Sequence, residues 1–311
     1  MLPDSSVEEQ MPRQLPEGCE IFLDHVGHFI RDPEAASRAF GRVGFAATPV
    51  SIQVNPDASG GESPTGTGNV TAMLRRGYIE ALFKTADTPL GRELDAALAR
   101  YCGVHLAAFS VADAAAAHRR LAADGFAVRP LIKMRRPVAT QAGKDVAAFT
   151  VARVEPGVMA EGRIQILTHH TEAAVWQPRW LEHPNGATAL IDLVIATAEP
   201  GAAAARYARF LDRPAAKNAA GHVVRLDRGC VQFVAPETLV RFAPGLAIPS
   251  LPFIGAYAIA VRSLAALERH LRNNAVAFIR RAGATAVRFP DDIGQGAWLF
   301  VERAADLPWR A

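Results

Sequence analysis

The sequence repeats itself about every eighty residues, and a chain built that way folds as copies of one small unit. Gly44-Phe45-Ala46 returns as Gly125-Phe126-Ala127, an offset of 125 − 44 = 81, and Pro49 returns as Pro130, 130 − 49 = 81. His25 lies in the middle of the apolar run Ile21–Ile30 and is matched by His105 in Val104–Val111, 105 − 25 = 80. Two further apolar runs, Leu190–Thr197 and Ile254–Val261, open segments of the same layout.

Within the first unit the signals come in a clear order. Asp32 can accept hydrogen bonds from the first N–H groups of a helix and Pro33 suits the first helical position. The spacing predicts a helix to about Val43, ended by Gly44 in the left-handed conformation. Strands are then expected at Phe45–Val50, Val70–Leu74 and Tyr78–Lys84. Ser59–Gly68 lacks the spacing of either phosphate-binding glycine loop and reads as a hairpin loop or flexible lid. A helix over Leu90–Tyr101 leads to the second unit, with strand Val104–Val111, a helix from Asp113 to about Asp124, and strands Ala147–Arg153 and Arg163–His169. Trp176 and Trp180, between prolines and ahead of an Asn185-Gly186 turn, mark a connector that packs two halves together. The third and fourth units begin with the remaining apolar runs, followed by helices over about 200–211 and 264–273 and by short strands. The fold class is therefore α+β, four βαβββ modules.

Composition narrows the function. A net charge of +3 with 34 scattered Lys and Arg gives no basic face for nucleic acid, and Lys133, Arg135 and Arg136 read as a solvated loop. Three cysteines without CxxC spacing suggest neither a disulfide framework nor a cysteine zinc site, and fit a reducing cytoplasm. No run approaches the roughly 18 apolar residues that span a bilayer. Met1–Gly18 has acidic residues between prolines instead of a basic start and apolar core, so it reads as a mobile tail, not a signal peptide.

Four consecutive βαβββ units with landmarks in register resemble the vicinal oxygen chelate superfamily, which includes glyoxalase I, extradiol dioxygenases and related resistance proteins. The connector with HPNGA at 183–187 resembles the glyoxalase-like domain proteins of that group. The resemblance implies two cups of mixed β-sheet with helices outside, one from residues 19–172 and one from 190–311, joined by 173–189 and preceded by the tail 1–18. It further implies a divalent ion (Fe, Mn, Zn or Ni) in the first cup, held by His25, Glu80, His105 and Gln165. Glu80 and His169 become candidates for acid–base work, and Tyr78, Phe109 and Arg163 for substrate contact. Tyr78 and Phe109 also suit a plain core, as a lone strand histidine does.

In the second half the corresponding positions read Asp192, Gln232, Ala256 and Leu299, which is expected to be a site lost to scaffold, dimer surface or cover. Gln165 is neutral where glyoxalase I has an acidic ligand, and two-domain extradiol dioxygenases keep their metal in the other half. If His25 and Glu80 face inward, strict alternation adds Leu23, Gly27, Phe29, Leu82 and Lys84 to the lining; from His105 and Gln165 it adds Ala107, Phe109, Arg163, Leu167 and His169. The function expected is that of a metal-dependent enzyme on a small organic substrate with vicinal oxygens, of glyoxalase, lyase, isomerase or extradiol-dioxygenase type. A non-catalytic protein that binds or sequesters such a molecule is the alternative, and a homodimer is left open.

Overall fold

The computed structural model describes residues 12–56, 62–141 and 143–310. The first half runs β1 (Ile21–Phe29), α1 (Pro33–Val43), β2 (Ser51–Pro56), β3 (Glu62–Met73), β4 (Tyr78–Lys84), α2 (Pro89–Arg100), β5 (Gly103–Val111), α3 (Ala114–Ala123), β6 (Ile132–Thr140), β7 (Gly143–Arg153) and β8 (Arg163–His169). After the short helix α4 (Glu172–Val175), the second half runs β9 (Ala187–Ala196), α5 (Pro200–Leu211), β10 (Ala215–Asn218), β11 (Gly221–Arg225), β12 (Cys230–Val234), α6 (Pro236–Phe242), β13 (Phe253–Val261), α7 (Leu264–Asn273), β14 (Ile279–Arg281), β15 (Ala284–Arg288) and β16 (Ala297–Val301).

The four expected units pair into two sheets. In the first, the order β1-β4-β3-β2-β6-β7-β8-β5 closes into a barrel, with β2 and β6 joined at Val54 and Arg135. In the second, β10-β11-β12-β9-β13-β16-β15-β14 stays open. The first unit begins as its caps dictate. Asp32 accepts from the N–H groups of Glu34 and Ala35, Pro33 opens α1, and Gly44 ends it at φ 92. A Cβ on Gly44 would also lie 2.9 Å from the Asn185 backbone nitrogen, so that glycine is fixed twice, by its dihedral and by the connector against it.

The halves share one core. Phe40 and Phe45 from the first pack with Trp298 and Phe300 of the second, all of them buried. His28 bridges the halves, its Nε2 2.8 Å from the Tyr257 hydroxyl and its Nδ1 2.9 Å from the Ile293 carbonyl. In the HPNG connector, His183 Nδ1 accepts from the Ala46 N–H and its Nε2 donates to the Met73 carbonyl, while Asn185 donates to the Val43 carbonyl. These residues hold the halves together through backbone groups that would otherwise be buried unpaired.

Four expectations need correction, the first being the strand expected at Phe45–Val50: that stretch is irregular and β2 begins only at Ser51. Residues 1–11 of the expected tail lie outside the described residues, but the rest is packed: Gln14 and Pro16 are buried, and the Gln14 amide donates to the Arg75 carbonyl. Of the expected lid at 59–68, residues 59–61 lie outside the described residues, and from Glu62 onward the segment is the start of β3. The Lys133–Arg136 stretch is strand β6, with burial alternating residue by residue. Among the described residues no helix is long and apolar enough to cross a membrane.

Candidate functional site

The barrel of the first half encloses a cup with about 620 Å³ of empty space, part of it open to solvent. Its floor is apolar, with Leu82, Leu106, Phe149, Val151 and Leu167, and its polar side chains include His25, Asn69, Tyr78, Glu80, Arg153, Arg163 and Gln165. Gly27 makes the room: a Cβ there would lie 2.8 Å from Leu82 and 2.9 Å from Leu106. Arg135 and Arg136, expected in a solvated loop, also line the cup from β6.

Two β-bulges decide which side chains reach this space. Between β1 and β5, Leu23 pairs with Phe109 and His25 with Ala108, so Asp24 is an extra residue without a partner. A bulge breaks strict alternation, and here Asp24 and His25 come side by side on the strand. Asp24 Oδ1 lies 2.7 Å from His25 Nδ1, and Asp24 Oδ2 lies 3.0 Å from His169 Nε2. Burial alone would raise the Asp24 carboxyl, but the charge and hydrogen bonds of His169, followed by those of His25, hold it well below the ordinary carboxylate range. An ionised carboxylate only accepts, so His25 must donate from Nδ1, and its Nε2 lone pair is left on the cup side. That nitrogen is 3.8 Å from Glu80 Oε2, while Glu80 Oε1 receives the Asn69 amide at 2.5 Å. Tyr78 stacks on the His25 ring with centroids 4.3 Å apart, and burial pushes its hydroxyl well above its usual value, so it stays protonated.

The second bulge removes His105 from the cup. Gly27 pairs with Leu106 and His28 with Val104, which leaves His105 as the extra residue of β5. Leu106 fills the place expected for it in the lining. His105 instead stacks on Tyr101, with centroids 3.9 Å apart, and its Nε2 donates to the Tyr101 carbonyl. Burial pushes it down to about 4, against the opposing effect of that bond. It faces a separate groove of about 880 Å³ between α2 and β8, also partly open to solvent.

The other expected residues divide. Tyr78, Glu80, Arg163 and Gln165 do line the cup. Phe109 does not: it is fully buried in the core on the other side of the sheet, where Leu23 also lies. His169 sits behind Asp24 against Phe149 and Trp176, out of the lining, and Lys84 is drawn outside by Asp87 and Asp95. The Gln165 oxygen accepts from Arg153 Nε at 2.9 Å. Arg153 itself, which alternation from β7 would have supplied, is the residue that sequence reasoning missed together with Asp24.

The metal set implied by the resemblance therefore does not assemble as expected. One imidazole nitrogen and one carboxylate oxygen approach each other; the third donor lies in another groove and the fourth is bonded to an arginine. Among the described residues no group of three or more His, Cys, Asp or Glu side chains is placed to hold an ion. The arginines around the cup add positive charge, which a cation would have to overcome. What the arrangement can do on its own residues is move a proton, through a histidine held in one tautomer by a buried carboxylate.

Comparisons with known proteins agree with this architecture. A sequence model of the glyoxalase-like domain matches residues 23–211. No curated protein matches the sequence. Among solved structures, a hypothetical protein from Staphylococcus aureus superposes with a TM-score of 0.63 at 10% identity, covering 90% of this chain and 98% of the other. A mutant of 4-hydroxymandelate synthase from Streptomyces coelicolor gives 0.55 at 14% identity, covering 92% and 93%. A fusion of a xylose isomerase-like TIM barrel with a 4-hydroxyphenylpyruvate dioxygenase gives 0.52 at 11% identity; 98% of this chain matches about half, 52%, of that one. At these identities the likeness is one of fold.

Proposed function

Since the chain belongs to the glyoxalase-like domain family, we propose that its first cup catalyses proton transfer on a small organic substrate carrying neighbouring oxygens, with His25 as the acid–base group. The observation that carries this reading is the bond from His25 Nδ1 to the buried Asp24 carboxylate, which leaves Nε2 as a lone pair inside the cup. Nε2 takes a proton from a carbon beside a carbonyl, the C–H pair becomes the carbon–carbon double bond of an enolate as the carbonyl π pair moves onto oxygen, and His25, after exchanging its proton with solvent, returns one to carbon. Asp24 does not become protonated; it fixes the tautomer and offsets the charge that His25 acquires, as His169 holds its other oxygen. The Tyr78 hydroxyl, neutral and carried on the ring stacked against His25, serves as the donor to the enolate oxygen. Glu80, oriented by Asn69, lies beside His25 with Oε2 3.8 Å from Nε2, and serves to take up or return the second proton of an isomerisation.

Exchange of carbon-bound hydrogen in D₂O tests this without knowledge of the natural substrate. Two probes are used: 4-hydroxyphenylpyruvate, the oxo acid for which one structural neighbour is named, and 1-phenyl-1,2-propanedione, a neutral compound with vicinal oxygens. Proton NMR should show exchange faster than in buffer, lost in His25→Asn. Rates equal to buffer for both probes, or unchanged in His25→Asn, would overturn the proposal; tight binding without exchange would favour the sequestering alternative. Stoichiometric iron, manganese, nickel or zinc in protein purified without chelators, lost together with His25, would instead support a metal enzyme built on His25 and Glu80.

A further inference from the structure

Arg153 is a buried cation without a counter-ion. It stands on β7 directly opposite Gln165 of β8, is 8% exposed, and lines both the cup and the groove beyond it. Its Nε donates to the Gln165 oxygen, and its other polar contact, from Nη2 to the Met134 sulfur at 3.8 Å, is weak. Among the described residues no carboxylate lies within ion-pair distance of it. Glu93 is engaged by Arg129 at 2.6 Å and by Arg163 at 3.5 Å, and Glu80 by Asn69. Burial pushes Arg153 down to about 9, which still leaves it charged at neutral pH.

A buried charge with no partner is costly, and a protein retains one where a ligand supplies the opposite charge. We propose that Arg153 binds the carboxylate of the substrate, so that the molecule on which His25 acts is a monocarboxylic acid with its apolar body on Leu82, Leu106 and Leu167. This deepens the proton-transfer reading and rests on it for the identity of the bound molecule as substrate. Among the described residues Arg153 is the buried cation of the cup without an ion pair, and the one negative charge of a carboxylate offsets it. The planar guanidinium presents paired donors that fit the two oxygens of a carboxylate, and Gln165 holds its plane through Nε. Gln165 is thus a positioning residue.

Calorimetric titration of the whole chain with benzoate and phenylpyruvate, against benzamide and phenylpyruvate methyl ester, tests this directly. The acids should bind about tenfold or more tighter than their neutral counterparts, the scale of a charge-assisted bidentate pair. Arg153→Gln should remove that preference, Arg153→Lys should retain part of it, and His25→Asn should leave it intact. Equal affinity for acids and neutral compounds, no binding of any of them, or a preference that survives Arg153→Gln would overturn the proposal. The comparison of acid with ester is made on the unaltered protein, so it stands even where Arg153→Gln does not fold. Acid-selective binding without hydrogen exchange would defeat the proton-transfer reading alone. Exchange on the neutral dione without acid preference would defeat the carboxylate alone.

Discussion

The two halves of the molecule have the same plan and opposite interiors. The first cup closes into a barrel and keeps a cavity; the second stays open and is filled by its own chain, with Leu239 of α6, Leu246 and Trp309 packed on Val194, Phe253 and Leu299. The registers make the positions comparable. His25 pairs with Tyr78 across β1 and β4 as Asp192 pairs with Cys230 across β9 and β12, and Leu106 pairs with Arg163 as Ala256 pairs with Ala297. Even the bulges recur: Ile191 is the extra residue of β9, one before Asp192 as Asp24 is one before His25, and Gly255 is the extra residue of β13, one before Ala256 as His105 is one before Leu106. The bulge is thus a property of the module, and in the first half an aspartate was placed on it. Asp192, also fully buried, is consumed by structure: it accepts from Trp309 Nε1 at 2.8 Å and from Arg310 at 2.8 and 2.6 Å.

The sharpest way to break this comparison is to neutralise each aspartate in turn. Asp24→Asn can no longer hold His25 in its tautomer, so hydrogen exchange on the probes should fall by about 10²–10⁴-fold, the range of a lost general base. Asp192→Asn should leave the exchange rate as it was. An equal loss from both would mean that the distinction between working and filled cups is mistaken.

Filling should be read in stability. Trp309 is 2% exposed and packs against Phe242, so Trp309→Ala should cost about 3–5 kcal/mol, the range for buried aromatic truncation, in urea denaturation. Binding in the first cup should not change. A loss below about 1 kcal/mol would show that the C-terminal segment covers the second cup without stabilising it.

Between the halves the comparison becomes one of pH. Burial pushes His28 down to about 4 from an ordinary 6.5. Its folded value is depressed, so the unfolded chain binds the proton more readily, and the stability that neutral His28 contributes is complete above pH 6.5 and lost as pH falls towards 4. Over that window the loss is about 3 kcal/mol at roughly 1.4 kcal/mol per unit. Denaturation at pH 7.5 and 4.5 should show a smaller acid loss in His28→Gln than in the unaltered protein. Identical pH profiles would show that His28 does not titrate in the joint.

Much of this was legible in the sequence, and the failures have definite causes. Caps and turns are local chemistry, so Asp32, Pro33 and Gly44 gave the first helix its bounds, and Asp192, Gln232 and Leu299 fall in register with His25, Glu80 and Gln165, whereas Ala256 falls in register with Leu106 and not with His105. The one-residue discrepancy lay in the offsets themselves: glycine and proline repeat at 81, which maps His25 onto Leu106, and only histidine identity pulled the match back to 80. An unmarked bulge flips the facing of a side chain, which is why His105 and Phe109 were placed in the lining and Asp24 was not. Strand β6 was missed because its burial alternates between partial and full exposure, so its Arg and Lys residues carry no apolar period to detect.

The weakest link between the halves should be the most visible one. Glu182 in the connector is bridged by Arg75 of the first half at 2.7 Å and by Arg262 of the second at 2.8 Å, and both bonds hold its carboxyl below the usual range. Its side chain is 56% exposed, however, and ion pairs in water return little once side-chain ordering is subtracted. Glu182→Gln should cost less than about 1 kcal/mol, and that cost should shrink further in high salt. The contrast with His183 next to it, 4% exposed and bonded to backbone on both ring nitrogens, is one of burial: a partner lost in the interior leaves a polar group stranded, whereas one lost at the surface is replaced by water. If Glu182→Gln proved as damaging as His183→Ala, the joint would be electrostatic, and the shared core of Phe45, Trp298 and Phe300 would not be what keeps the filled half fixed to the half that holds the cavity.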